Sequence, residues 1–193
     1  QDEDQLSDAF EKLQQELEQL ATDQETLAEE LQEARSEMGG ALQEQMDLWH
    51  QLDELAQKAV DSSQGAIDAA GHGQGWRAAS IRDLEEQHPY VESVKEAIRA
   101  RDMGSAAKEN MVAMSRAYRA LRAVERELSR TRPSGESIPD GVGVAAAELE
   151  QLQAHLQEID DILQQLQRSS TDEPPELQEL AQHAGIDLQQ RPQ

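Results

Sequence analysis

Residues 5–38 read QLSDAFEKLQQELEQLATDQETLAEELQEARSEM, and the spacing of their apolar side chains decides the fold class. Leu6, Phe10, Leu13, Leu17, Leu20, Leu27, Leu31, Ala34 and Met38 follow one another at alternating steps of four and three. Gln24 occupies the single position where the next apolar residue is due. This is a heptad with Phe10, Leu17, Gln24, Leu31 and Met38 at a, and Leu6, Leu13, Leu20, Leu27 and Ala34 at d. Side chains recurring every 3.5 residues share one stripe of an α-helix, whereas a strand needs a period of two. The stretch therefore predicts a helix with a coiled-coil seam.

Before the seam, Asp2, Glu3, Asp4 and Asp8 place negative charge at the positive end of the helix dipole. Thr22-Asp23-Gln24-Glu25 matches a capping box, but the heptad phase is the same on both sides of it, which favours a continuous helix. Gly39-Gly40 costs about 1 kcal/mol per glycine in a helix interior and marks the expected hinge. Beyond it the phase resumes with Ala41, Leu48, Leu52, Leu55 and Ala59, joined at e by Leu42, Trp49 and Ala56. A narrow stripe suits a two-stranded seam and a wide one a helix with several neighbours. A rod followed by a bundle is expected, with the long helix covering residues 5–62 and ending in Asp61-Ser62-Ser63-Gln64-Gly65.

Residues 63–132 form the expected bundle region, its helices lying within about 76–131. The spacing predicts a helix over 76–87 on Trp76, Ala79 and Leu84, stopped by Pro89. A second, over 90–103, uses Val91, Val94 and Ile98. A third, 105–130, carries Met111, Met114, Tyr118, Leu121 and Leu128, widened by Ala117 and Val124. Pro133, Gly135, Pro139, Gly141 and Gly143 make 133–143 a loop. A second heptad helix over 144–167 follows on Ala145, Leu149, Leu152, Leu156, Ile159, Leu163 and Leu166. The segment 169–193 is a linker and a short amphipathic tail helix containing Leu177, Leu180 and Ala181. The fold class is all-α.

Leu, Ile, Val and Phe make up 36 of 193 residues and the net charge is -23, a balance typical of disordered chains. Five heptads held in phase contradict disorder locally, while five aromatic residues limit any large core. Without cysteine there are no disulfides, thiolate metal sites or cysteine nucleophiles. No apolar run is long enough to span a bilayer. The chain opens on Gln1 with no cysteine, which points toward an extracytoplasmic setting or excision from a longer chain.

Charge is segregated. Residues 1–70 carry 19 acids against 3 bases, and only 90–132 is net basic, with 10 bases against 6 acids. Arg116, Arg119, Arg122, Arg126, Arg130 and Arg132 follow one helix and its end, where pairing with the chain's own carboxylates is expected. Net acidity disfavours nucleic acid and anionic membranes as partners. In the first seam Glu16, Asp23, Glu30 and Glu37 stand at g, opposite an e flank of Gln14, Ala21, Ala28 and Arg35. A parallel homodimer gains little from that set, so the seam calls for a non-identical helix, either residues 144–167 folding back or another protein.

Asp47-x-x-His50 and Glu85-x-x-His88 have the spacing of carboxylate–imidazole metal pairs, but such pairs arise readily among 40 acids, and Asp47 and His50 face away from the seam. Gly71-His72-Gly73-Gln74-Gly75 lacks the preceding strand and following Lys-Ser/Thr of a phosphate loop. No catalytic, cofactor or metal set emerges. The expected role is a non-enzymatic acidic helical scaffold for protein partners, self-associating or heterologous. The alternative is an extracytoplasmic bundle sensor or carrier for a small ligand or metal. The residues expected to carry interaction are Leu6, Phe10, Leu13, Leu17, Leu20, Leu27 and Leu31, then Arg116, Arg119, Arg122, Arg126 and Arg130, then Leu149, Leu152, Leu156, Ile159 and Leu163.

Overall fold

A computed structural model describes residues 1–71 and 73–171, and every regular element among them is helical: α1 (Asp2–Ala70), α2 (Ala78–Arg99), α3 (Met103–Ser129) and α4 (Val142–Thr171). The all-α class is as expected. The expected linker and tail helix, 169–193, lie outside the described residues from 172 onward. The chain divides into two compact units, one holding residues 1–44 and the other residues 45–171.

The 45–171 unit is a four-helix bundle of alternating direction. Asp53 meets Arg101 while Ser63 meets Gln87, so α1 and α2 run antiparallel. Glu86 meets Arg116 and Ser80 meets Glu127, which reverses α3 against α2. Arg130 reaches the Gly75 carbonyl, Gly75 lies beside Pro139, and Gly141 abuts Ala69. The ends of α1 and α3 and the starts of α2 and α4 therefore share one end of the bundle.

Each helix buries a stripe spaced by fours and threes. In α1 it is Leu48, Leu52, Leu55, Ala59, Ser62, Ala66 and Ala70; in α4, Val142, Ala145, Leu149, Leu152, Leu156, Ile159, Leu163 and Leu166. In α2 it is Ser80, Leu84, Gln87, Val91, Val94 and Ile98. The phase runs straight through two expected breaks. α1 continues past Asp61–Gly65 to Ala70, because Ser62 and Ser63 fall on the buried stripe and Gly65 lies where α1 meets Glu148 of α4. α2 is one helix with Pro89 inside it, not two. An interior proline costs about 3 kcal/mol. Burying Leu84, Val91, Val94 and Ile98 returns about 1.5–3 kcal/mol each, and Pro89 itself is exposed. Gly39 and Gly40 are likewise helical, with open space where a Cβ would stand.

α3 departs further from expectation. Tyr118, Met111 and Leu128 are exposed, at 51, 68 and 44 %. The buried stripe keeps the expected Ala117 and Val124, with Leu121 buried beside it, and is otherwise Ala106, Asn110, Ala113, Ala120 and Glu127, all 0 % exposed. Small side chains let neighbouring backbones approach closely, and Asn110 uses that proximity to donate from Nδ2 to the Leu156 carbonyl of α4 at 2.9 Å. A buried amide in such a stripe disfavours slipped registers, which would leave it unpaired.

The connections follow from backbone requirements. Gly71, Gly73 and Gly75 have φ of 57°, 74° and 79°, turning the chain so that Trp76 drops into the core although α2 begins only at Ala78. At Gly141, φ is 82° and an added Cβ would collide with the Ala69 carbonyl, so that loop demands glycine twice over. Asp102 caps α3 by accepting from the Ser105 N–H at 3.1 Å and its hydroxyl at 2.8 Å, which holds its carboxyl below the usual range.

Arg101 ends α2 at φ 56°, where glycine is usual: its N–H bonds to the Ile98 carbonyl and that of Asp102 to the Ala97 carbonyl. Its guanidinium forks onto Asp53 at 2.8 and 2.7 Å and lies 5.2 Å from the Trp49 ring centre. The left-handed backbone costs about 1–2 kcal/mol, and these half-exposed contacts offset a similar amount. Arg101→Gly is therefore expected to change stability by less than about 1 kcal/mol. Arg101→Ala, which keeps the strain and loses the contacts, should cost about 1–2 kcal/mol in urea unfolding.

Candidate interaction surface

The 1–44 unit presents the heptad stripe openly. Leu6, Phe10, Leu13, Leu17, Leu20, Leu27 and Leu31 are between 43 and 74 % exposed, and Met38 is 44 % exposed. Among the seam positions Ala34 is buried, and Gln24 is exposed. Single exposed leucines are ordinary, but here large apolar side chains keep one phase along one exposed helix face. Glu16, Asp23, Glu30 and Glu37 line its g flank, all exposed. Residues 1–44 carry 14 acids against 2 bases, Lys12 and Arg35.

The second heptad has the opposite fate. Leu149, Leu152, Leu156, Ile159 and Leu163 are 0 to 3 % exposed, all within the core of their own unit. They are packing residues rather than a surface, and within this unit α4 packs on α1, where Glu148 meets Gly65.

The arginine series divides. Arg116 pairs with Glu86 of α2 at 3.6 Å and stacks 5.1 Å from the Tyr90 ring; Arg126 reaches Asp83 of α2 at 3.9 Å. These two meet the acidic helix surface expected for the whole series, although on α2 and not on α1. Arg122 stays on its own helix, bonding Tyr118 Oη at 2.9 Å and Glu125 at 3.2 Å, so its pKa is raised. Arg119 is exposed and has no ion pair among the described residues. Reversing Arg119 and Arg122 to Glu should leave the melting temperature essentially unchanged, since exposed local pairs contribute little. A clear loss of thermal stability in that double variant would contradict this placement.

Arg130 and Arg132 belong to a node that the spacing rules do not reveal. Glu127 is wholly buried, accepting at Oε1 from the Ser80 hydroxyl at 2.9 Å and the Arg77 N–H at 3.3 Å. Arg77 Nε lies 3.3 Å from Oε1, while Arg130 Nε and Arg132 Nη2 lie 3.7 and 3.4 Å from Oε2. Arg132, whose side chain is only 6 % exposed, also donates to the Glu127 and Arg130 carbonyls, capping the end of α3. The one signal for this in the sequence was an acid in the heptad phase of the small residues.

A second polar node joins α1 and α2. Ser63 Oγ lies 2.8 Å from Gln87 Oε1 and 2.7 Å from His88 Nδ1, and His88 Nε2 lies 3.1 Å from Glu92. Serine, histidine and acid in that order resemble a hydrolytic relay. However, Ser63 is 0 % exposed and its proton goes to Gln87, whose amide is fixed by donating to the Ser63 carbonyl at 3.3 Å. As packed, no substrate carbonyl reaches the hydroxyl. Both His88 nitrogens are engaged without Glu85, and His50 is exposed. Among the described residues no three acids or histidines converge as a metal site, and no helix is long and apolar enough to cross a membrane.

Near the turn after α2, Asp53, Ala56, Gln57, Lys95, Arg99 and Arg101 line an open cleft of about 320 Å³. One of its three cations, Arg101, is already committed to Asp53. No family model, curated protein or solved structure matches this chain.

Proposed function

We propose that the chain is a non-enzymatic helical interaction protein, in which residues 6–38 bind a partner helix by coiled-coil pairing. The observation that carries this is the run of exposed seam residues from Leu6 to Leu31 in unbroken heptad phase. A helix that only needed solubility would place polar residues there. Two features add support. Residues 45–171 bury their own heptads, so the bundle does not need the seam for its core. The serine, histidine and glutamate groups of the two polar nodes are occupied within those nodes, leaving no constellation among the described residues that favours a reaction.

The test is purification of the native chain alongside a Leu13→Glu, Leu20→Glu variant from its own source, followed by native mass spectrometry. A stoichiometric protein partner should accompany the native chain and be lost from the variant. A Gln15→Glu control should retain it. A partner that survives the seam substitutions would place the interaction elsewhere on the molecule.

A further inference from the structure

We infer that the partner of the 6–38 seam is a different chain, whose helix carries Lys or Arg along the flank facing Glu16, Asp23, Glu30 and Glu37 and a polar residue against Gln24. This rests on the interaction role proposed above and specifies the occupant.

A second copy of this chain fits poorly in either direction. In a parallel pair each g residue faces an e residue of the next heptad. Glu16 would then face Ala21 and Asp23 would face Ala28, and only Glu30 with Arg35 would attract. In an antiparallel pair g faces g, bringing four carboxylates against four. Like charges across a seam exclude wrong partners more effectively than matched charges tighten right ones. The chain's own segment 172–193 is also a poor electrostatic match, with five acids against one base. The occupant favoured by charge is basic.

Gln24 sharpens the identity further. It replaces an apolar residue at a, midway along the stripe, and is exposed. A lone amide at a costs affinity and in return rejects registers that set it against leucine. Ala21 and Ala28 on the e flank are small, so the partner can approach closely on that side while cations sit on the other.

The experiment titrates the intact chain with synthetic helices of about five heptads, the first two with Leu at a and d and Asn at the one a position opposite Gln24. One has Lys along both flanks and another has Glu. A third is residues 3–38 of this chain, and a fourth is the Lys helix with its seam leucines changed to Ser. The Lys helix should bind at least about tenfold more tightly than the Glu helix or the chain's own peptide. The Ser version should not bind, and Leu17→Glu with Leu20→Glu in the protein should abolish binding without altering its circular dichroism. Moving the Asn by one heptad should weaken binding, and Gln24→Leu should remove that register dependence.

Equal binding of the Lys and Glu helices would overturn the charge assignment while leaving an interacting seam. Tightest binding by the chain's own peptide would identify a second copy as the occupant. Binding of the Ser version as tightly as the Lys helix, unaffected by the Leu17 and Leu20 substitutions, would sink both the assignment and the interaction role, since generic attraction would explain it.

Discussion

Glu127→Ala is expected to destabilise the bundle by about 3–5 kcal/mol, the usual penalty for stranding a buried partner charge. The Arg132 side chain is only 6 % exposed, and its Nε, like that of Arg130, is buried without a hydrogen-bond acceptor among the described residues. The Glu127 carboxylate is the acid paired with Arg132 among the described residues, it shares Arg130 with Glu136, and it also accepts from Ser80. Glu127→Gln should cost less, because an amide oxygen still accepts from Ser80 and the Arg77 N–H. Replacing Glu127 and Arg132 together by Leu should be milder than the sum of the two single changes, since no charge is then left buried alone. Chemical denaturation of Glu127→Leu, Arg132→Leu and the double variant distinguishes this from simple loss of packing, for which the two changes would add.

The second large effect separates two heptads that look alike in the sequence. Leu156→Ala in α4 should cost about 2–5 kcal/mol, because Leu156 is 0 % exposed in the core and its removal leaves a cavity. Leu20→Ala, at 54 % exposure, should change the stability of the isolated chain by no more than about 0.5 kcal/mol. The order should invert when binding is measured, with Leu20→Ala weakening partner affinity. Equal destabilisation by the two changes would mean that the first seam is already packed in the isolated chain.

Helix content was legible because the 3.5-residue spacing is a long-range signal that accidental composition does not produce. Its extent follows phase, not local breakers. Pro89 lies between Gln87 and Val91, and Ser62 to Gly65 between Ala59 and Ala66, in stripes that keep their spacing across the breaker. Phase reports what tertiary burial rewards, and a few buried side chains outweigh one proline. At Thr22 to Glu25 the unchanged phase predicts a continuous helix, and α1 runs through.

In α3 side-chain size misleads. Met111, Tyr118 and Leu128 drew attention as large apolar residues, yet the contact face is an alanine stripe interrupted by Asn110 and Glu127. Alanine carries little hydrophobic weight and is common on any helix, so its spacing is quiet in a sequence. Partner choice for the arginines was half legible: opposite charge pointed to acidic helix surface, but the antiparallel docking of α2 on α3 decided which acids were near. The exposure of the first seam and the burial of the second were not legible at all. The same leucine spacing serves both, and only the packing of α4 into its unit tells them apart.

The absence of cysteine makes the central claim directly measurable. Leu20→Cys and Leu152→Cys variants each carry a single thiol, and maleimide labelling of the isolated protein reports its accessibility. Leu20→Cys should label at nearly the rate of a free thiol and become protected when the Lys-flanked helix is added, whereas Leu152→Cys should label only on unfolding. Labelling of Leu20→Cys in the isolated chain as slow as that of Leu152→Cys would show the seam already covered, and would contradict its role as an open binding face.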